Sequence, residues 1–232
     1  MTNRLFPDPQ YPAVPVVGTD DLYPVHRIFC VGRNYAEHAK EMGMEVDRDA
    51  AFYFMKDAQA LVQNGSDIAY PPCTSNYHFE MEFVVVIGKP LWKATADELQ
   101  DAVFGYACGL DLTRRDLQLV AREKGRPWDF GKNFETSAVL GPITPKAAFG
   151  TVGDQEIRLE VNGTLRQKAL LSELIWSVEE ILLDLSQHYH LKPGDVIYTG
   201  TPAGVGALQV GDRLHGEVDG LAAIDVTITQ AL

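Results

Sequence analysis

The sequence is short of cysteine, of net positive charge and of long apolar runs, and each shortage excludes something. Three cysteines, Cys30, Cys73 and Cys108, are scattered through 232 residues with no Cys-x-x-Cys spacing. They build neither a disulfide framework nor a zinc knuckle, and read as reduced thiols of a cytoplasmic protein. Lys and Arg number 20 against 32 Asp and Glu, a formal charge of −12. So acidic a chain is a poor partner for nucleic acid or for an anionic membrane surface. No stretch reaches the roughly 20 apolar residues that span a bilayer. The opening, Met1 to Pro7, lacks the apolar core of a signal peptide. There is no internal repeat and no low-complexity tract. The composition, 46% hydrophobic and 22% charged, is that of a globular protein, and its expected partner is a small molecule.

Five prolines, Pro7, Pro9, Pro12, Pro15 and Pro24, argue against helix and central strand in residues 1–25. This arm is expected to be extended and to lie on the body of the protein or on a second subunit, with residues 26–232 forming one domain. Strand signals dominate that domain. Apolar or β-branched runs at 28–31, 52–55, 67–70, 77–87, 103–110, 156–161, 195–199 and 222–229 read as strands. Asn162-Gly163 and Asp219-Gly220 are hairpin signals. Helices are few. Asn34 with Glu37 reads as a cap opening about two turns that stop at Gly43, Thr95 with Glu98 opens a second helix, and Ser177 opens a third. Many short strands with few short helices indicate a β-dominated α+β fold.

The most informative stretch is His78-Phe79-Glu80-Met81-Glu82. Side chains alternate along a strand, so Glu80 and Glu82 are expected on one face, roughly 7 Å apart along the chain, with His78 beside them. Two like charges in a half-buried strand raise the pKa of at least one. A divalent cation removes that conflict, and hard oxygen donors favour Mg²⁺, Mn²⁺ or Ca²⁺ over zinc. Glu-x-Glu is also common on solvated strand faces. Against that, the chain continues Phe83-Val84-Val85-Val86-Ile87 with no polar face, and Cys108-Gly109-Leu110-Asp111 ends a second buried run on a third carboxylate.

Other constellations are weaker alone. His38 and Glu41 stand three apart in the first short helix, so the carboxylate can orient the imidazole as a general base requires. A surface helix carries such a pair just as readily. Arg114, Arg115 and Gln118 follow Asp111, and Lys132 follows Gly131; solvated helix and loop charges are the plain alternative. The run Thr199 to Gly206 looks like a phosphate loop only superficially, since no Lys-Ser/Thr closes it and no helix pattern follows. No nucleotide is expected.

Together these stretches carry a resemblance. Val31-Gly32-Arg33-Asn34-Tyr35 with His38 and Glu41, Glu80-Met81-Glu82, Gly109-Leu110-Asp111 with Asp116-Leu117-Gln118, Gly131-Lys132, and Pro193-Gly194-Asp195 with Thr199-Gly200-Thr201-Pro202 occur in this order. The chain resembles the fumarylacetoacetate hydrolase family from about residue 27 to the C-terminus. The resemblance implies a mixed β-roll of packed sheets with few helices, usually a homodimer. It implies a metal on Glu80, Glu82 and Asp111, typically Mg²⁺ with Mn²⁺ or Ca²⁺ as substitutes, and a water-activating pair in His38 and Glu41. Arg115, Gln118, Lys132 and Thr201 match positions that hold an oxo-acid end and the developing negative charge. Arg33, Arg122 and Arg126 are candidates for a distal carboxylate. The implied activity is hydrolysis of a carbon–carbon bond in a 2,4-dioxo acid during aromatic catabolism. The same metal site also supports acylpyruvase, oxaloacetate decarboxylase or 2-hydroxydienoate isomerase chemistry. A non-catalytic oxo-acid-binding module would be expected to lack the His–Glu pair or Lys132.

Overall fold

A valine-rich run is stable in a strand only when covered on both sides, and Met81–Ile87, buried along its whole length with Glu82 its one charged residue, sets the architecture. In the computed structural model, which describes residues 5–8, 10–41, 43 and 48–231, this strand lies in the middle of a curled mixed sheet. The order across the sheet is Phe52–Lys56, Arg27–Gly32, Asp195–Tyr198, Met81–Ile87, Val103–Asp111, Ala138–Leu140 and Leu61–Gln63, with Thr144–Pro145 also paired to Val103–Asp111. A second sheet runs Thr164–Leu170, Glu156–Val161, Arg213–Val218, Ile224–Thr229, Asp67–Ala69.

Period-two alternation sorts the main-sheet side chains into two cores. Phe29, Val31, Phe83, Val85 and Ile87 cluster with Ile157, Leu159, Leu214 and Val226 of the second sheet. Ile28, Cys30, Val84, Val86 and Tyr198 belong to the opposite cluster. The proline-rich arm joins that second cluster: Ala13–Pro15 and Leu22–Pro24 pair as an antiparallel hairpin, and Val14, Val16, Tyr23 and Val25 are buried in it. The capped helices fall where expected, at Ala96–Ala102 and Val178–His188, the latter with the Ser177 hydroxyl accepting from the Glu180 N–H. No helix among the described residues is long and apolar enough to cross a membrane.

Two local expectations need correction. The strand expected over 77–87 breaks at Glu80. Tyr77–Phe79 leaves the main sheet and joins Thr113–Arg114 and Gly206–Ala207 in a small separate sheet. The cause lies in the hydrogen bonds at the break: the Met81 N–H is taken by the Gln167 side chain at 2.9 Å instead of a neighbouring strand. Alternation nevertheless persists across the break: Phe79, Met81 and Phe83 enter one core cluster while Glu80 and Glu82 share the cleft, as the sequence predicts. Second, Asn34 does not cap the first helix, Ala36–Glu41. It is fully buried, and its amide bridges Thr199 O, Trp176 O and the Trp176 N–H. Both hairpin signals hold: Asn162 and Gly163 form a left-handed turn, and Asp219-Gly220 sit in a turn closed by the Leu221 N–H donating to Val218 O at 2.9 Å, which leads into the antiparallel strand Ile224–Thr229.

Candidate active site

The register of two central strands creates the acidic cluster. Met81 lies opposite Leu110 and Glu82 opposite Gly109, which places Asp111 across from Glu80, and the Asp111 N–H donates to Glu80 O at 2.9 Å. Ligand oxygens of Glu80, Glu82 and Asp111 lie within 4.8 Å of one another, and all three residues are buried. Among the described residues this is the one such cluster. Three converging hard carboxylates fit Mg²⁺, Mn²⁺ or Ca²⁺ by donor chemistry.

Three cations accompany them. Lys132 Nζ donates to Glu80 Oε2 at 2.7 Å, Asp111 Oδ2 at 2.6 Å and Thr113 Oγ1 at 2.8 Å, which uses all its hydrogens. Lys56 Nζ lies 2.8 Å from Asp111 Oδ1 and also donates to the carbonyls of Leu112 and Lys132. Arg115 donates to Glu80 Oε1 and to Gln118 Oε1, each at 2.5 Å. Burial opposes ionisation of Glu80, yet Lys132 and Arg115 beside it hold its carboxyl well below the usual range. Burial works against the charge on Lys132 too, but Asp111 and Glu80 raise its pKa. Glu82 goes the other way: burial, then the charges of Asp111 and Glu80, push it well above the ordinary value. That is the electrostatic conflict a bound dication relieves.

The Thr199–Gly206 segment is a carboxylate-binding loop. The Gly200 N–H donates to Glu82 Oε2 at 2.7 Å, and the Gly204 N–H donates to both Glu41 oxygens at 3.2 Å. Glycine is required at 200, where φ is +102° and a Cβ would lie 2.7 Å from that of Asn34. Glu41 Oε2 meets His38 Nδ1 at 3.1 Å, which leaves Nε2 for the cleft that His38 lines. Gln118 accepts from Arg115 through Oε1, so its NH₂ is the end available to the cleft.

One cleft thus gathers His38, Glu80, Glu82, Asp111, Arg115, Gln118, Lys132, Thr201, Arg33 and Arg122. Glu41 reaches it only through His38. Arg126 lines a neighbouring groove instead. His78 sits behind Arg115, accepting from its Nε at 3.4 Å, and burial with the Arg115 charge lowers its pKa to about 4, so the ring is neutral. Sequence reasoning missed Lys56, Thr113 and Gln167. Lys56 closes an apolar strand and carries no motif, although a lysine after Phe52-Tyr53-Phe54-Met55 has to find a carboxylate if it is buried.

Comparison with known proteins fits this arrangement. The model of the fumarylacetoacetate (FAA) hydrolase C-terminal region matches residues 27–229. The chain belongs to the fumarylacetoacetate hydrolase family. It is 53% identical over 193 residues to a fumarylpyruvate hydrolase from Ralstonia sp, covering 82% of this chain and 100% of that one. It is 39% identical over 199 residues to an oxaloacetate tautomerase of Escherichia coli K12, covering 85% and 90%. The fold matches the crystal structure of fumarylpyruvate hydrolase from Pseudomonas aeruginosa in complex with Mn²⁺ and pyruvate with a TM-score of 0.94, at 44% identity and with 98% and 100% of the two chains covered. The protein is an enzyme of a family of hydrolases acting on carbon–carbon bonds.

Proposed function

We propose that the protein is a divalent-metal-dependent hydrolase that cleaves fumarylpyruvate, a 2,4-dioxo acid, to fumarate and pyruvate in gentisate-type aromatic catabolism, in the cytoplasm and as a homodimer. The observation that carries the reading is a His–carboxylate pair and a buried acidic triad lining one cleft. Glu80, Glu82 and Asp111 would hold the cation, with Mg²⁺ the expected ion and Mn²⁺ or Ca²⁺ as substitutes. Bound there, it supplies Lewis-acid stabilisation for an oxo acid that loses its acyl group.

The protein's own groups do the rest. Glu41 fixes the tautomer and direction of His38, and His38 takes a proton from the attacking water. The Gln118 NH₂ faces the cleft as a donor for the tetrahedral oxyanion. Lys132, with every hydrogen already engaged, contributes its field first and a hydrogen bond only by releasing one partner. Arg115 and Thr201 hold the substrate's oxo-acid end, and Arg33 stands at the rim. Charge favours an anionic substrate: Lys56, Lys132 and Arg115 match the three carboxylates, so a bound dication, with Arg33 and Arg122 also lining the cleft, would leave the site net positive. The free space beside the carboxylates is about 40 Å³, room for an ion and a few waters.

Oxaloacetate tautomerase is the second reading, favoured by the 39% identity to an enzyme of that name; decarboxylase, acylpyruvase or dienoate isomerase activity on the same site belongs to the same class. Tautomerisation needs proton shuttling but no attacking water. Purified protein with Mg²⁺ or Mn²⁺, offered fumarylpyruvate, acetylpyruvate and oxaloacetate side by side, decides between them. Equimolar fumarate and pyruvate with the highest kcat/KM supports hydrolysis. Faster ketonisation of enol-oxaloacetate, with no cleavage of the dioxo acids, removes it.

A further inference from the structure

Gln167 has no exposed surface, and it touches both segments that build the cleft. It lies on strand Thr164–Leu170 of the second sheet. Its Oε1 accepts the Met81 N–H at 2.9 Å, between the candidate ligands Glu80 and Glu82. Its Nε2 donates to Thr201 Oγ1 and to Pro202 O, each at 2.8 Å. The direction of this amide is fixed by partners of single polarity: a backbone N–H only donates and a carbonyl only accepts, so Nε2 must face Thr201.

A hydroxyl that accepts from Nε2 directs its own hydrogen elsewhere. Thr201 is 3% exposed and lines the cleft beside His38, Glu80 and Glu82. Among the described residues its hydroxyl has a donor, Gln167, and no acceptor. We propose that Gln167 is a positioning residue that fixes the Thr201 hydroxyl as a donor aimed into the cleft, toward the carboxylate of a bound oxo acid. The polarity follows from the hydrogen bonds alone; only the identity of the anion rests on the functional reading above. Because Gln167 also holds Met81, it locks the loop that carries Thr201 to the strand that carries the carboxylates, so anion site and acidic triad keep one spacing.

A hydrogen bond from a hydroxyl to a charged oxygen corresponds to about 10- to 100-fold in affinity. The test is calorimetric titration of pyruvate, with Mn²⁺ present, into the wild type, Thr201→Val, Thr201→Ser, Gln167→Met, Gln167→Glu and the double variant Thr201→Val/Gln167→Met, with melting temperatures recorded alongside. Thr201→Val is expected to weaken pyruvate about 10- to 100-fold, and Thr201→Ser, which keeps the hydroxyl, to recover most of that loss. Gln167→Met is expected to weaken it comparably, yet to add less than about twofold in the Thr201→Val background. Gln167→Glu presents an acceptor that captures the Thr201 hydrogen, and is expected to weaken pyruvate by a similar factor. Should Gln167→Met fail to fold, Gln167→Glu carries the test. Additive losses in both backgrounds mean that Gln167 merely supports the fold, and overturn the proposal. So does a wild type that binds pyruvate no better than the Thr201 and Gln167 variants, which leaves the functional reading standing. A wild type that binds no pyruvate at all overturns both.

Discussion

Three cations and three carboxylates share one buried volume, but the match is uneven. Lys132 reaches Glu80 and Asp111, Arg115 reaches Glu80 and Lys56 reaches Asp111, whereas Glu82 is held by the Gly200 N–H. The raised pKa of Glu82 is therefore a statement about stability. Below the unfolded value of about 4.3 both states keep the proton and there is no penalty. As the pH climbs past it the unfolded chain releases the proton first, and stability declines until the folded carboxyl ionises too. Metal-free Glu82→Gln is thus expected to gain steadily in stability on the wild type as the pH rises from 5 to 8. Urea denaturation in chelator measures this; a gap that stays flat or narrows with pH contradicts it. His38→Ala is expected to retain its metal by elemental analysis while kcat drops at least about 100-fold. A wild-type kcat in that variant excludes the dyad from the reaction.

At the scale of elements, the helix Arg115–Glu123 turns an unusual face inward. Arg115, Gln118 and Arg122 recur at helical spacing and all line the cleft. Seven residues at about 1.5 Å each put Arg122 roughly 10 Å beyond Arg115, and six carbon–carbon bonds of about 1.5 Å give fumarylpyruvate a similar reach. Arg122→Met is expected to lower kcat/KM for fumarylpyruvate about 10-fold or more and leave acetylpyruvate within about threefold; equal losses on both substrates would assign it another role. The helix also packs hard on Asp129–Lys132, where a Cβ on Gly131 would lie 2.8 Å from Gln118 Cβ. Gly131→Ala is expected to cost roughly 1–3 kcal/mol in stability. It should also cost about 100-fold in kcat/KM, because Lys132 and Gln118 shift together. A full kcat/KM beside a lowered Tm would show that the contact is structural only. Legibility in the sequence followed the same division. Apolar runs such as Phe83 to Ile87 and the serine-capped helix could be read because one local pattern decides them. Thr164–Leu170 and Arg213–Val218 could not, since their partners across the sheet supply the burial. The carboxylates were found, but the strand break at Glu80 was not: the Met81 N–H beside it is met by Gln167, 87 positions away from Glu80 in the chain.

For the whole molecule, the proline-rich arm is a cover and not an appendage. Val14, Val16, Tyr23 and Val25 are buried against the outer face of the main sheet, and each such side chain contributes roughly 1.5–3 kcal/mol. We propose that it belongs to the single domain: deletion of residues 1–25 is expected to lower Tm by 10 °C or about that much, or to yield insoluble protein, whereas an unchanged Tm would make the arm dispensable. Tyr23 adds a directional tie, its hydroxyl donating to Ile87 O at 2.6 Å and accepting from the Gly194 N–H. The ammonium and guanidinium groups packed around the acidic triad have a further consequence. A fold that carries its own counter-ions does not need a dication to stand. On the proposed metal dependence, starvation for the ion is expected to leave an intact but dormant protein, ready to wake on resupply without passing again through the unfolded chain.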